Sequence, residues 1–250
     1  MQKLIFFSHG EKGGVGKTAV ASAAIEMLLG AGCKIGIVEG DTDNGDVALR
    51  YEGTVRHIKR VRLSDPSEYQ KAVNDLAGWV SEITGSGEAD VIVVNMPANA
   101  ATTVDRDIET LAAALEEIDV QVVTAISSGN TDQSIHRTVE IATKGLGSLG
   151  AAVVLAPEFL KDDSISARLD ARGLKVSVYP RLSPDTMQVI LDHPRQPLSD
   201  LVTPTGPVKS PIQRIRIGQY LRQAREVLKP LFAGLITDDG TKAKKELTNE

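Results

Sequence analysis

Cysteine occurs once in the 250 residues, at Cys33. A lone thiol excludes an intramolecular disulfide and any all-cysteine metal site within one chain; only a symmetric dimer could join two copies of it. It opens the apolar run CKIGIV, where a half-buried strand thiol is expected. Aromatic residues make up 4%, so aliphatic side chains must fill the interior. No apolar stretch approaches the ~20 residues that a membrane span needs. The opening KLIFF is too short for a secretory signal, and the chain is expected in the cytoplasm. The net charge of −5 argues against attraction of the whole surface to nucleic acid or anionic lipid, so any such binding needs a local patch. What remains is an ordinary globular composition, 42% apolar and 24% charged, in a length that one alternating α/β domain can fill.

Against that background one short stretch stands out, HGEKGGVGKTAV at 9–20. The run KLIFFS before it reads as a buried strand. TAVASAAIEMLLG after it reads as a helix ending at Gly30. Glycines at a strand-to-helix turn leave main-chain N–H groups pointing at one spot, and the helix N-terminus adds positive potential there. Gly13, Gly14 and Gly16 let the backbone curl. Lys17 can reach the outer phosphates of a nucleotide and the Thr18 hydroxyl can bind Mg²⁺, with Val15 and Ala19 completing the loop.

The apolar runs 4–7, 35–38, 91–94, 120–126, 152–156 and 176–179 read as strands. Helical stretches are expected from Pro66 (with Asp65 as cap), from 101, from 131, from 164 and from 210. Strands apolar without alternation are buried on both faces, and strand–helix alternation makes them parallel. The expected fold is α/β, a doubly wound, mostly parallel sheet with helices on both faces. Residues 1–236 form one domain, and 237–250 form a disordered polar tail. Ligands in such sheets sit at the carboxyl ends of strands, where the glycine loop falls.

The loop departs from G-x-x-x-x-G-K-[ST] because Glu11 stands where the first glycine belongs, and Lys12 adds a second lysine in K-G-G-V-G-K-T. On spacing alone, Lys12 is as well read as a solvated loop residue. The stretch resembles the ParA/MinD family of phosphate-loop ATPases with a deviant Walker A motif. That resemblance implies ATP and Mg²⁺ as ligands, and a homodimer formed on ATP binding, with Lys12 crossing to the nucleotide of the other subunit. VEGDTDNGD at 38–46 resembles the family's D-x-D, with Glu39 in place of the first aspartate, and implies that Asp41 positions the hydrolytic water near the metal. Asp43 and Asp46 read as solvated acids, and neither frame of the stretch fits a calcium loop. VIVVNMP at 91–97 carries Asn95 where the family has an aspartate. Asparagine can accept the same hydrogen bond from metal-bound water but is neutral, so weakened Mg²⁺ binding and slow hydrolysis are expected, with Asn95→Asp expected to speed phosphate release. YPRLS from 179 resembles a loop over the base, placing Pro180 and Arg181 there; a turn proline beside a surface arginine is the alternative. Nothing resembles the N/T-K-x-D signature of guanine-binding proteins.

Basic residues gather near the end: Lys209, Arg214, Arg216, Arg222, Arg225 and Lys229. Ile215, Leu221, Val227 and Leu228 are read as the apolar stripe of their helix. The arginines 214, 216, 222 and 225 are candidates for sequence-independent DNA binding, as the resemblance to ParA-type proteins implies, or simply a solvated face. RHIKRVR at 56–62 is a second basic cluster. The expected activity is ATP hydrolysis coupled to positioning a plasmid or other DNA cargo, with an activating partner protein implied by the family. A MinD-like membrane association is the competing reading. It is disfavoured because KAKKELTNE lacks bulky apolar residues on one face, so no membrane insertion is expected. A slow nucleotide-gated scaffold and an ATP-dependent ligase are further alternatives; iron–sulfur and arsenic-transporting relatives need cysteines this chain lacks.

Overall fold

A computed structural model describes residues 3–42, 45–237 and 241–243. The chain runs β1 (Lys3–His9), α1 (Lys17–Gly30), β2 (Ile35–Glu39), α2 (Asp46–Tyr51), β3 (His57–Arg60), α3 (Tyr69–Gly85), β4 (Val91–Asn95), α4 (Ile108–Glu117), β5 (Val120–Ser127), α5 (Asp132–Lys144), β6 (Ala151–Pro157), α6 (Ser164–Asp170), β7 (Val176–Tyr179), α7 (Pro184–Leu191), α8 (Leu198–Val202) and α9 (Pro211–Leu228). The strands form one seven-stranded sheet in the order β3-β2-β4-β1-β5-β6-β7. Every pair is parallel.

Side chains alternate across the pleat and so load both faces. Leu4 and Phe6 of β1 join α1, α2 and α9 in one cluster. Ile5 and Phe7 join α3 and α4 on the opposite face. Ile126, Val154 and Ala156 carry the core onward to α5 and α6. Phe6 meets Phe232 with ring centroids 5.3 Å apart, so the scarce aromatics are concentrated in this interior.

Several boundaries differ from expectation. RHIKRVR contains an edge strand, β3, paired in parallel with β2; its charges mask the signal, since Lys and Arg on an edge protect it from further pairing. The helix expected from Pro66 starts at Tyr69, because Asp65 accepts from the Ser67 N–H and hydroxyl and closes a local turn instead. The stretch from 101 begins as two 3-10 turns, Ala100–Thr102 and Asp105–Asp107, before α4. The proline-rich segment contains two short helices, α7 and α8. α9 follows expectation, with Ser210 capping the Gln213 N–H. In the tail, Lys242 pairs with Ile236 in an isolated antiparallel bridge, and its ammonium contacts Asp90 at 2.5 Å. Residues 238–240 and 244–250 of the expected polar tail lie outside the described residues.

The carboxyl ends of β2, β4 and β1 are adjacent in the sheet. The Gly40 N–H donates to the Asn95 carbonyl and the Met96 N–H to the Ser8 carbonyl. Three separate stretches, at 10–18, 39–42 and 95–99, thus open onto one edge.

Candidate nucleotide site

Gly14 and Gly16 both lie in the left-handed region, at φ 74° and 95°, a conformation that L side chains rarely adopt. A Cβ at Gly13 or Gly14 would meet nothing within 4 Å, so the curl faces open space. Gly16 is the N-cap of α1 and offers no capping side chain, leaving the first N–H groups of the helix to an external acceptor. Val15 is buried and anchors the loop, while Thr18 is exposed in the first turn.

Lys17 is 8% exposed, and its ammonium donates to the Lys12 carbonyl at 2.9 Å. Burial pushes it down from 10.5 to about 8, with Asp41 and Glu11 as the countercharges that oppose the fall. Beneath it the Ser8 hydroxyl donates to the Lys17 carbonyl at 2.7 Å. The Ala19 carbonyl accepts from the Tyr179 hydroxyl at 3.3 Å and the Tyr220 hydroxyl at 3.4 Å, which ties the first turn of α1 to β7 and α9. Lys12 is exposed, its stem crossing Gly129 beyond β5, where a Cβ would stand 3.6 Å from the lysine Cδ.

Two acids and a histidine missed as site residues frame the loop. The Glu11 carbonyl accepts from the Asn99 N–H, docking the segment after β4 onto the loop. Burial raises the Glu11 carboxyl, opposed chiefly by the Arg137 guanidinium. Fully buried His9 accepts from the Gly10 N–H at Nδ1, 2.8 Å, and faces Asp105 from Nε2 at 3.0 Å. The ring is thus the Nε2–H tautomer donating to the carboxylate. Asp105 also accepts from the Leu146 N–H. Spatial closeness across 96 residues leaves no local pattern to read.

At the end of β2 the Asp41 N–H donates to Glu39 Oε1. Glu39 is fully buried and accepts in addition from Asn95 Nδ2 at 2.8 Å and from the Val47 and Ala48 N–H groups at 3.1 Å each. Burial nonetheless raises it to about 7, the hydrogen bonds from Asn95 and the backbone opposing. The Asn95 amide was expected only as an acceptor; its NH₂ is bound to Glu39, and Asn95 Oδ1 is buried with no partner among the described residues. Asn95→Asp would therefore set two buried carboxylates against each other, which the sequence did not reveal. Asp43 lies outside the described residues.

Pro180 and Arg181 follow β7. The Arg181 N–H donates to Glu158 Oε2 at 3.2 Å, and the arginine is exposed. Phe159, 38% exposed, was missed: its ring would stand 3.2 Å from a Cβ on Gly16, so it lies over the loop.

α9 differs from its expected phase. Its buried residues are Ile217, Tyr220, Ala224 and Leu228, whereas Ile215 is 58% exposed. At about 100° per residue, Arg214, Arg222 and Arg225 share one flank within about a quarter turn, while Arg216 falls on the other flank. Arg214 donates to the carbonyls of Val208 and Lys209, fixing the approach to its own helix. The four arginines do not form a single row.

Among the described residues no group of three or more His, Cys, Asp or Glu side chains could hold a metal. Thr18, exposed in the first turn of α1, could offer its hydroxyl to a cation at the loop. Among the described residues no helix is long and apolar enough to cross a membrane.

No family model matches the chain. Protein MobD of Acidithiobacillus ferrooxidans is 30% identical over 124 residues, 50% of this chain and 51% of MobD; the match spans about half the length of that curated relative. Among solved structures, the MinC:MinD cell division protein complex of Aquifex aeolicus superposes with a TM-score of 0.54 at 16% identity, over 91% of this chain and 96% of that one. A Cyanothece McdA–ATP complex gives 0.54 at 13% identity, over 91% and 97%. MinD of Pyrococcus horikoshii with Mg-ADP gives 0.53 at 14% identity, over 92% and 97%. The chain has the fold of these MinD and McdA proteins, a phosphate-loop α/β fold.

Proposed function

We propose that the chain is a ParA/MinD-type ATPase that binds ATP with Mg²⁺ and uses the nucleotide to control the position of a cargo. The observation that carries this reading is the buried Lys17 ammonium, held over a curl of left-handed glycines at the head of α1. A dehydrated cation beside unpartnered helix N–H groups is a receptor for a phosphate chain. Gly13, Gly14, Val15 and Gly16 supply main-chain donors, and Thr18 with Asn95 stands on the metal side. Bound Mg²⁺ supplies charge neutralisation of the phosphates. Asp41 orients the attacking water. Lys12 reaches the nucleotide of a second copy. Pro180, Arg181 and Phe159 bound the space beside the base.

The cargo assigned here is DNA, held without regard to sequence by Arg214, Arg222 and Arg225 on one flank of α9, with Arg216 on the other. Association with a membrane and its partner proteins, in the manner of MinD, is the second reading; the likeness to MinD and McdA folds favours neither. Titration calorimetry with ATP and Mg²⁺ on wild type and Lys17→Ala tests the first claim: binding is expected only in the wild type, and no heat from the wild type at millimolar ATP would end the proposal. Retention on non-specific DNA with ATP, falling steeply with salt, separates the cargo readings; ATP-dependent sedimentation with liposomes instead would favour the membrane.

A further inference from the structure

Glu39 closes a loop. Its Oε2 holds the Val47 and Ala48 N–H groups at the head of α2, and its Oε1 holds the Asp41 N–H at the start of the same segment. The fourth donor, Asn95 Nδ2, ties this carboxylate to the end of β4. A carboxylate has about four lone-pair directions, and four donors already use them. Glu39 consequently has no acceptor capacity left for a metal-bound water. The one unoccupied acceptor of the pair is Asn95 Oδ1, 1% exposed and without a hydrogen-bond partner among the described residues.

We infer that Glu39 is a positioning residue that fastens the Asp41-bearing loop to the sheet, and that Asn95 turns the pair's only open acceptor, a neutral one, to the nucleotide side. The Glu39 carboxyl is enclosed by donors on both oxygens, so the pair gives direction to a hydrated divalent cation through the neutral Asn95 oxygen and not through the acid. The second half rests on the Mg-ATP reading above; the first does not.

The test is a cycle of Glu39→Gln, Asn95→Asp and the double variant. Without nucleotide and in chelator, each single variant is expected to lower the urea midpoint, Glu39→Gln by facing an amide NH₂ towards N–H donors and Asn95→Asp by opposing carboxylates. The double variant restores one amide and one carboxylate with roles exchanged, and is expected to recover most of the loss. Losses that simply add would overturn the pairing. The second readout is the ratio of ATP affinity with Mg²⁺ to that in chelator, expected about tenfold larger in the double variant, where the charge stands at position 95, than in wild type. An unchanged ratio with the pair rebuilt would overturn the neutral-acceptor claim. Failure of all forms to bind ATP would remove the reading of the site and leave the urea cycle to judge the pairing. If the single variants do not fold, Asn95→Ala with hydrogen exchange takes their place: faster exchange of the Asp41, Val47 and Ala48 amides is expected, and unchanged protection would overturn the role of the pair.

Discussion

Replacing Lys17 with methionine should stabilise the nucleotide-free protein while abolishing nucleotide binding. The ammonium is 8% exposed, and burial depresses it from 10.5 to about 8. That difference corresponds to about 3 kcal/mol of unfavourable free energy in the folded state at neutral pH. Methionine is of similar length and carries no charge to desolvate. It forfeits the hydrogen bond to the Lys12 carbonyl, worth about 1 kcal/mol, for a net gain of about 2 kcal/mol. In a chain of this size that is roughly 4–8 °C in Tm. The sign follows from proton linkage. Between about pH 8 and 10.5 the unfolded chain holds a proton on Lys17 that the folded chain has released, so wild-type stability rises with pH across that window and the penalty is fully present below it. Urea melts of both proteins in chelator at pH 7 and pH 10 read the difference directly. The variant should be the more stable at pH 7, with its advantage shrinking at pH 10. With ATP and Mg²⁺ added, only the wild type should shift upward. A variant less stable than wild type by the same amount at both pH values would refute the reasoning.

Three other outcomes are expected. The Arg50 guanidinium donates to the carbonyls of Ile190, His193 and Gln196; Arg50→Lys cannot span all three and should cost about 1–3 kcal/mol by urea titration, whereas an unchanged midpoint would show that the junction of α2 with α7 carries no energy. Phe232→Ala empties a fully buried position beside Phe6 and should cost about 3–5 kcal/mol in the same assay; less than 1 kcal/mol would mean that the site collapses. Cys33 is buried and its thiol is pushed up to about 11, chiefly by desolvation, so iodoacetamide at pH 8 should modify the folded protein at least about a hundredfold more slowly than the protein in urea; comparable rates would contradict its burial.

Local chemistry was legible where it was local. The phosphate loop, with strand, glycines, lysine and helix in one short stretch, could be read in order from the residues. The strands β1, β2, β4 and β5 were legible because a parallel sheet covered on both faces demands continuous apolar runs, and β6 and the edge strand β7 keep apolar runs although part of each is exposed. β3 was not legible, because three of its four residues are His, Lys and Arg. The helix phase of α9 was misjudged at Ile215 because 18 residues of mixed polarity fit more than one stripe; contacts with β7 and α1 decide it, placing Tyr220 inward. The cage around Glu39 and the His9–Asp105 contact join residues 56 and 96 positions apart in the chain, and pairings set by sheet order have no short-range signature. Asn95 was recognised as a departure, but its partner was invisible until β2 and β4 were seen side by side.

The two phenol hydroxyls on the Ala19 carbonyl, which also touch each other at 3.1 Å, act as a rivet. They join the head of the phosphate-loop helix to the end of β7 through Tyr179 and to the last long helix through Tyr220. A displacement of α9 as a body would have to break that joint or draw the first turn of α1 with it.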